Sequence, residues 1–254
     1  MGQTFDVAII GGGIAGFSLA HYLGANRKVL ILEQEDAFGY HATARSAAEF
    51  AFRFHTPLVG KLAALSFPFL NNPPQDFSAV QLLRERGMIL IASEEKRARL
   101  DEVLATESAK TDRLRRFGRD EVLAAAPILN PDFLASAFFD PDCWDIEADA
   151  LFQGFRKSAS ANGTVAISKA RVASAERKSG YWQIDTHSGQ FEAAVVVNAS
   201  GAWADQTAVL FGAAPLAHAP LNRTMITVDI PVGIDWRSMP EVQEVDEDFY
   251  MKPD

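Results

Sequence analysis

Apolar and glycine-rich stretches follow one another in a regular order over the first 35 residues. Residues 7–10 form a short, continuous apolar and β-branched run, which predicts a strand buried on both faces of a parallel sheet. The sequence G-x-G-x-x-G follows at residues 11–16, and apolar residues at helical spacing predict a helix that ends at Gly24. A second predicted strand, residues 28–32, is followed by Glu33. Together these segments predict a βαβ unit with a glycine turn.

The three glycines of this turn have separate physical roles. Gly11 permits the tight turn, Gly13 lets backbone amides approach a pyrophosphate, and Gly16 lets helix and strand pack closely. The helix N-terminus supplies partial positive charge, and Glu33 can accept hydrogen bonds from ribose hydroxyls. The pattern therefore predicts a dinucleotide-binding unit. The alternative is a buried βαβ unit whose glycines serve only turn and packing, and the motif alone does not separate FAD from NAD.

Further along the chain, the hydrophobic pattern predicts both helices and strands. The predicted elements are a helix-like segment at 44–54, a helix at 58–70, a strand at 87–93, helices at 94–110 and within 118–129, and successive strands over 164–205. Residues 193–205 in particular form an apolar run that leads into a second glycine turn, far from the first such strand. One nucleotide-binding sheet is therefore predicted to be assembled from separated segments, with a second domain inserted.

The composition and charge of the chain restrict the kinds of molecule that it can bind. The chain has 254 residues, 48% of them hydrophobic, and a formal net charge of −9, which argues against nucleic-acid binding. The one basic run, "RLRRFGR" at residues 113–119, lies in a helix-like region of mixed charge and is interpreted as a solvated face. No segment approaches the roughly 20 apolar residues of a transmembrane span, and no signal peptide is recognisable. We expect a cytoplasmic protein without a nucleic-acid partner.

No metal site is expected from residue spacing. Cys143 is the only cysteine, which excludes an intramolecular disulfide and a cysteine-based metal cluster, and it is interpreted as a small buried residue. The five histidines show no H-E-x-x-H or similar spacing.

With these motifs in place, the chain resembles the D-amino-acid oxidase/sarcosine oxidase superfamily of FAD-dependent amine oxidoreductases. The resemblance rests on "IIGGGIAGFSLAHYL", "VLILEQE", "GYHATARSAA", "DIEADAL", "VVVNASGAWAD" and "FYMKPD", and it covers nearly the whole chain. Within the superfamily, "GYHATARSAA" and "DEDFYMKPD" look closest to the bacterial D-arginine dehydrogenase type. The resemblance implies an α/β fold. A Rossmann-like FAD-binding domain (1–48 and 146–212) is expected with an interleaved α+β substrate domain on a mostly antiparallel sheet (49–145 and 213–254).

The resemblance implies non-covalent FAD, held by residues from four parts of the sequence. The expected cofactor-binding residues are Gly11, Gly13, Ile14, Ala15, Gly16, Glu33, Gln34, His41, Thr43, Arg45, Ser46, Ala47, Ala48, Val172, Ala199, Ser200, Gly201 and Trp203. Arg45 can pair with phosphate oxygens or, alternatively, form a surface salt bridge. Ser46 is equally consistent with a helix N-cap, and Trp203 with plain core packing.

For the substrate, the resemblance implies a small amino acid whose carboxylate is bound by Arg223 and Tyr250. Arg223 is alternatively an exposed strand residue, and Tyr250 alternatively aromatic core. The implied chemistry is oxidation of the α C–N bond of a D-amino acid or related amine, by hydride transfer to flavin N5. The imino acid then hydrolyses to a 2-oxo acid and ammonia, and oxygen or a quinone reoxidises the flavin. No residue is assigned as an obligatory base.

The sequence departs from the D-arginine pattern at two pocket positions. Phe54 stands where that group has a tyrosine, and Gly87 where it has an acidic residue, with Glu85 two positions away. Because both changes remove polarity, we expect neutral or apolar D-amino acids to be preferred over D-arginine. The family pattern continues beyond "FYMKPD" by about a hundred residues, so the sequence is expected to be an N-terminal portion. The competing functions are a non-catalytic FAD-binding module and an NAD-dependent dehydrogenase.

Overall fold

A computed structural model describes residues 3–54, 56–222, 224–229 and 231–253. The chain divides into two compact units. Unit 1 comprises residues 1–47, 73–82 and 147–224, and unit 2 comprises residues 48–72, 83–146 and 225–254. The sequence-based division differs by placing residues 73–82 and 213–224 with the second domain.

The chain forms fourteen strands and six α-helices over the described residues. The strands are β1 Thr4–Ile10, β2 Val29–Leu32, β3 Glu49–Ala51, β4 Leu83–Glu85, β5 Met88–Ala92, β6 Arg115–Phe117, β7 Ser136–Asp140, β8 Cys143–Ile146, β9 Val165–Ile167, β10 Val172–Lys178, β11 Tyr181–Thr186, β12 Gly189–Asn198, β13 Glu241–Glu244 and β14 Tyr250–Met251. The helices are α1 Ile14–Leu23, α2 Pro57–Asn71, α3 Arg97–Ser108, α4 Arg119–Ala125, α5 Ala148–Ala161 and α6 Ala204–Leu210.

Unit 1 is built on a six-stranded sheet in the order β10-β11-β12-β1-β2-β9. Strands β12, β1, β2 and β9 run parallel; β11 is the antiparallel neighbour of β12, and β10 pairs antiparallel with β11 at the edge. Residues 7–10 of β1 are all buried, as the continuous apolar run predicts, and so are all four residues of β2. Helix α1 packs against α5, with Phe17 and Phe152 in edge-to-face contact at 5.6 Å. The sheet therefore brings the ends of β1, β2 and β12 side by side.

Unit 2 contains two smaller sheets. The five-stranded sheet has the order β14-β13-β5-β7-β6, and the three-stranded sheet has the order β3-β8-β4. Most neighbours are antiparallel, while β13 pairs with β5 in parallel. Phe138 and Ile89 are fully buried at the centre of two apolar clusters. The predicted architecture is confirmed: a Rossmann-like unit assembled from separated segments, with an interleaved, mostly antiparallel α+β unit.

Two local predictions are wrong. Residues 44–54 do not form a helix, because a short 3₁₀ turn, Ala42–Arg45, is followed by strand β3, which pairs with β8 about ninety residues later. The basic run 113–119 is not helical before Arg119, where α4 begins, since β6 lies at the edge of the five-stranded sheet. Its arginines do face solvent: the Arg115 and Arg116 side chains are more than half exposed and pair with acids. In both segments, pairing with a strand that is distant along the chain determines the backbone conformation.

Unit 2 also contains a buried ion-pair network that the sequence did not reveal. Arg53 donates hydrogen bonds to both Asp140 and Asp142, which flank the turn between β7 and β8. Arg113 donates a second charged hydrogen bond to Asp142. The Asp140 side chain is 0% exposed and that of Arg53 10% exposed, so these charges compensate each other away from water. Burial opposes the charge on Arg53, but the two aspartates raise its pKa overall.

Among the described residues, no helix is both long and apolar enough to cross a membrane.

Candidate FAD site

Close backbone contacts require two of the fingerprint glycines. Gly11 has φ +115°, and a Cβ there would lie 2.2 Å from the Ala199 carbonyl oxygen. A Cβ on Gly16 would lie 2.1 Å from the Gly11 carbonyl oxygen. Because real atoms do not approach so closely, the first turn, helix α1 and the second glycine turn pack in this way only without side chains. The structure thereby brings together three of the expected cofactor-binding residues, Gly11, Gly16 and Ala199.

Gly13 leaves room for a ligand rather than for protein. Among the residues that the structure describes, a Cβ on Gly13 would contact one neighbour, the Thr43 hydroxyl, at 3.1 Å. The Ile14 N–H donates to that same hydroxyl at 3.0 Å. The first N–H groups of a helix have no intrahelical acceptor, and they carry the positive end of the helix dipole. The turn with Gly13, Ile14, Ala15 and Thr43 therefore has the donor groups and the space that a pyrophosphate requires, so these residues fit the dinucleotide cofactor.

Glu33 is held at the end of β2 by two backbone hydrogen bonds. Its carboxylate accepts from Gly12 N at 2.7 Å and from Glu35 N at 2.9 Å, and the side chain is buried. Each carboxylate oxygen has a second lone pair, so Glu33 retains capacity to accept ribose hydroxyls. Ribose binding by Glu33 stays a prediction, and the sequence did not indicate the role of Glu33 in fixing the glycine turn.

Beyond Glu33, a chain of contacts links several predicted residues. Gln34 Nε2 donates to Glu35 Oε1 at 3.3 Å, and the His41 Nε2 atom lies 2.9 Å from the same oxygen. The His41 ring in turn lies 4.5 Å from the ring of Trp203. Glu35 was not among the predicted residues, although its position just beyond the carboxyl end of a parallel strand was a usable signal. The structure thus joins Gln34, His41 and Trp203 in one continuous series of side-chain contacts through Glu35.

The second glycine turn is held by an asparagine at the end of β12. Asn198 Oδ1 accepts from the Ser200 N–H at 3.2 Å and from its hydroxyl at 2.7 Å. Asn198 Nδ2 donates to the Ala204 carbonyl at 2.7 Å. Gly201, with φ +55°, begins the 3₁₀ turn that ends at Trp203. The sequence analysis did not assign this role to Asn198. A polar side chain at the end of a strand was the signal that could have indicated it.

The cofactor candidates considered next are residues 45–48. The exposed Arg45 guanidinium lies 4.8 Å from the centroid of the Tyr40 ring. Ser46 is not a helix N-cap, because it follows the 3₁₀ turn Ala42–Arg45 as its C-terminal cap. Ala47 and Ala48 are half-buried, and Ala48 has φ +55°. These residues stay predictions from the resemblance.

Val172 lies apart from the glycine turns. It begins β10, the edge strand of the sheet, and its buried side chain packs in the apolar core of unit 1. An edge strand keeps one row of backbone groups outside the ladder, so Val172 can contact a ligand only through its backbone. A cavity of about 330 Å³ elsewhere in unit 1 is lined in part by Gly39, Thr43 and Ser46. A larger cavity of about 870 Å³ contains none of the predicted residues in the described part of the chain.

The structure describes three of the four substrate candidates. Half-buried Phe54 has φ +68° and lies 6.0 Å from the ring of Phe138. Gly87 has φ +71°, and a Cβ there would lie 2.5 Å from the Phe139 ring. Half-buried Tyr250 begins β14, opposite Gln243. Arg223 lies outside the described residues.

Replacing Glu33 tests the dinucleotide contact. We expect Glu33→Gln to weaken FAD binding by about 1–3 kcal/mol, because the charge-assisted acceptor is lost and the Gly12 hydrogen bond weakens. Fluorescence titration of FAD onto each purified, folded variant gives the affinity. Asp36→Asn is the matched control, since Asp36 is an acid of the same loop whose side chain is 80% exposed. Equal FAD affinities for Glu33→Gln and Asp36→Asn would refute the assignment.

Comparisons with known proteins agree with this geometry. Glycine oxidase from Geobacillus kaustophilus (strain HTA426) is 27% identical over 245 residues, a match that covers 92% of this chain and 64% of that protein. The crystal structure of glycine oxidase from Geobacillus kaustophilus superposes with a TM-score of 0.74 at 26% identity, covering 83% of this chain and 59% of that one. FAD-dependent oxidoreductase domain-containing protein 1 of Bos taurus is 26% identical, covering 89% of this chain and 53% of that protein. The chain thus spans about half to two thirds of these relatives.

The family match extends almost from end to end. Residues 6–254 match the profile of the FAD dependent oxidoreductase family. This match confirms the superfamily and the expected cofactor, whereas the relatives include glycine oxidases and do not single out the D-arginine dehydrogenase branch. Because this match covers nearly the whole chain, the chain belongs to the family of FAD-dependent oxidoreductases.

Proposed function

We propose that this chain acts in the oxidation of the α C–N bond of a small D-amino acid or related amine, with non-covalently bound FAD. The observation that carries the proposal is the meeting of Gly11, Gly16 and Ala199 beside the open face of Gly13. Relatives named glycine oxidase, and others named dimethylglycine dehydrogenase, support an amino-acid or amine substrate. Bound FAD supplies the acceptor for the hydrogen and two electrons of the substrate α C–H bond.

The residues of the chain then have binding and orienting roles. The Tyr250 hydroxyl and the Arg223 guanidinium are the proposed donors to the substrate carboxylate, a pairing that fixes its orientation. Phe54 offers an apolar ring, which favours a neutral side chain on the substrate. In the reaction that the family resemblance implies, the amine is oxidised to an imine, and water then releases ammonia and the 2-oxo acid.

Gly87 gives the proposed specificity a structural reason. Its left-handed backbone and the 2.5 Å approach to Phe139 mean that an acidic side chain does not fit at this position unless Phe139 moves. A guanidinium bound in a pocket needs a carboxylate partner, since an unpaired buried cation is costly. Glu85 is the nearest acid along the chain, and its side chain is exposed on β4. We therefore extend the proposal to a preference for neutral or apolar substrates over D-arginine.

A substrate panel tests this preference. FAD-loaded protein is mixed anaerobically with D-alanine, D-methionine, D-phenylalanine, glycine, sarcosine and D-arginine, and flavin reduction is followed by absorbance. We expect D-arginine to be slower than the best neutral substrate by about thirtyfold, the equivalent of one missing charged partner. Both enantiomers of alanine are included, and faster reduction by L-alanine would contradict the D-specific proposal. If D-arginine were best, the interpretation of Gly87 would be wrong and Glu85 would be the next residue to replace.

The same assay tests the carboxylate donors. We expect Tyr250→Phe to raise KM for D-alanine several-fold, because the variant lacks the hydroxyl donor but keeps the ring. The KM of a control substrate without a carboxylate, such as a simple primary amine, should be the same for Tyr250→Phe and the unmodified protein. An unchanged KM for D-alanine would remove Tyr250 from the proposed site. Bound flavin that no amine reduces would instead favour a non-catalytic FAD-binding module.

A further inference from the structure

Three side chains with metal-binding atoms meet in unit 2 on three different strands. Glu49 begins β3, Cys143 begins β8 and Glu241 begins β13. A thiol sulfur and one carboxylate oxygen from each glutamate all lie within 4.8 Å of one another. Cys143 and Glu241 are each 1% exposed, and Glu49 is half-buried. We call these three residues the Glu-Cys-Glu cluster.

Backbone hydrogen bonds hold two members of the cluster in place. The Gly87 N–H donates to the Cys143 carbonyl at 3.0 Å, and the Glu241 N–H donates to the Gly87 carbonyl at 3.0 Å. On the other side, Ala51 of β3 pairs with Cys143 of β8. The side chains therefore project from strands whose positions are fixed by the sheets rather than by the cluster itself. Gly87 is the link between two of these strands.

The cluster has more acceptors than donors. Glu241 Oε2 is buried and has no hydrogen-bond partner among the described residues. The Cys143 sulfur lies 3.8 Å from Glu49 Oε1, a weak contact for a thiol donor. The nearby Lys252 ammonium directs its hydrogen bonds elsewhere, to Asp145 at 3.1 Å and to the Ala48 carbonyl at 3.5 Å. A buried carboxylate oxygen without a partner is costly, so this position calls for a cation or a proton.

We propose that Glu49, Cys143 and Glu241 form a binding site for Zn²⁺. A thiolate with carboxylates suits a borderline-soft ion, whereas Mg²⁺ and Ca²⁺ select oxygen ligands alone. Bonds of about 2.3 Å to sulfur and 2.0–2.2 Å to oxygen would draw the ligand atoms to roughly 3.5 Å from one another, and water would complete the tetrahedron. The ion would join the three-stranded and five-stranded sheets of unit 2.

Zinc binding at this position would release protons. Burial raises the pKa of the Cys143 thiol well above its ordinary value. Burial, together with the negative charge of Glu49, raises the pKa of Glu241 to about 8. The ion would displace the thiol proton and the carboxyl proton to solvent, so affinity should increase with pH. The sequence did not indicate this site, because its three ligands are separated by about ninety residues each and lack a spacing motif.

The test uses the full chain after chelator treatment, titrated with Zn²⁺ by calorimetry in two buffers of different ionisation enthalpy. We expect one ion per chain with release of one to two protons, and a thermal midpoint that rises by several degrees. Co²⁺ in place of Zn²⁺ should produce a thiolate-to-cobalt charge-transfer band. Cys143→Ser should abolish that band, and Glu241→Gln should weaken Zn²⁺ binding at least tenfold.

Glu85→Gln is the matched control, since Glu85 is an exposed glutamate of the same unit and should leave the titration unchanged. If a proton shared by the two glutamates is the only occupant, the chain will bind no stoichiometric Zn²⁺ and show no cobalt band, which overturns the proposal. Binding that survives in both Cys143→Ser and Glu241→Gln, each shown to be folded by circular dichroism, would place the ion elsewhere and overturn it too.

Discussion

Gly11→Ala is expected to abolish measurable FAD binding, with at least a hundredfold loss of affinity. The added methyl would meet the Ala199 carbonyl oxygen at 2.2 Å, and φ +115° is strained for alanine. The clash and the strain together should destabilise the local fold by about 2–6 kcal/mol. Because the first turn would have to move away from the second, the pyrophosphate donors would lose their arrangement. Equilibrium dialysis with FAD, alongside urea unfolding, measures both effects.

Gly118→Ala provides the control for this prediction. Gly118 has φ −75°, and the nearest described neighbour of a Cβ there would be the Glu121 carboxylate, at 3.7 Å. This variant should keep FAD affinity within about twofold. A Gly11→Ala protein that binds FAD like the Gly118→Ala control would show that the close approach to Ala199 is not needed for the cofactor.

Arg53→Leu is expected to lower the free energy of unfolding by about 3–5 kcal/mol. The substitution removes the partner of Asp140, whose side chain is 0% exposed, and leaves an uncompensated carboxylate inside unit 2. Asp142 keeps its hydrogen bond from Arg113, so the loss centres on Asp140. Chemical denaturation of the chain, followed by its tryptophan fluorescence, measures the change.

Two further variants separate this network from ordinary ion pairs. Arg116→Ala removes an ion pair whose side chains are 55% and 46% exposed, and should cost less than about 1 kcal/mol. Arg53→Leu combined with Asp140→Asn should recover part of the loss, because no buried charge is then left alone. If Arg53→Leu and Arg116→Ala lower the free energy of unfolding equally, the buried network contributes no more to stability than a surface ion pair.

The sequence predicted unit 1 well because its signals are local. The glycine turn, helix α1 and strand β2 lie within residues 11–32, and Gly11 and Gly16 each have a steric reason that only glycine satisfies. Strand β12 was recognised in the same way, from a continuous apolar run that ends in a second glycine turn. Glu33 was identified by its place at a strand end, although its hydrogen bond to Gly12 was not.

What the sequence did not predict depends on partners that are distant along the chain. Residues 44–54 have helical composition, yet pairing of β3 with β8 determines their conformation. The Arg53 network joins side chains 87 and 89 positions apart, and no periodicity reports such a contact. The reason for Gly87 likewise lies in Phe139, which follows 52 positions later and occupies the space of any Cβ.

The central claim is that the paired glycine turns of unit 1 bind FAD. The most direct measurement is the visible absorption spectrum of the purified chain after incubation with FAD and removal of free cofactor by gel filtration, with NAD as a parallel ligand. We predict that the bands of oxidised flavin elute with the protein at one FAD per chain, and that excess NAD does not displace them. A folded chain that elutes without flavin absorbance, or that binds NAD in preference to FAD, would contradict the account.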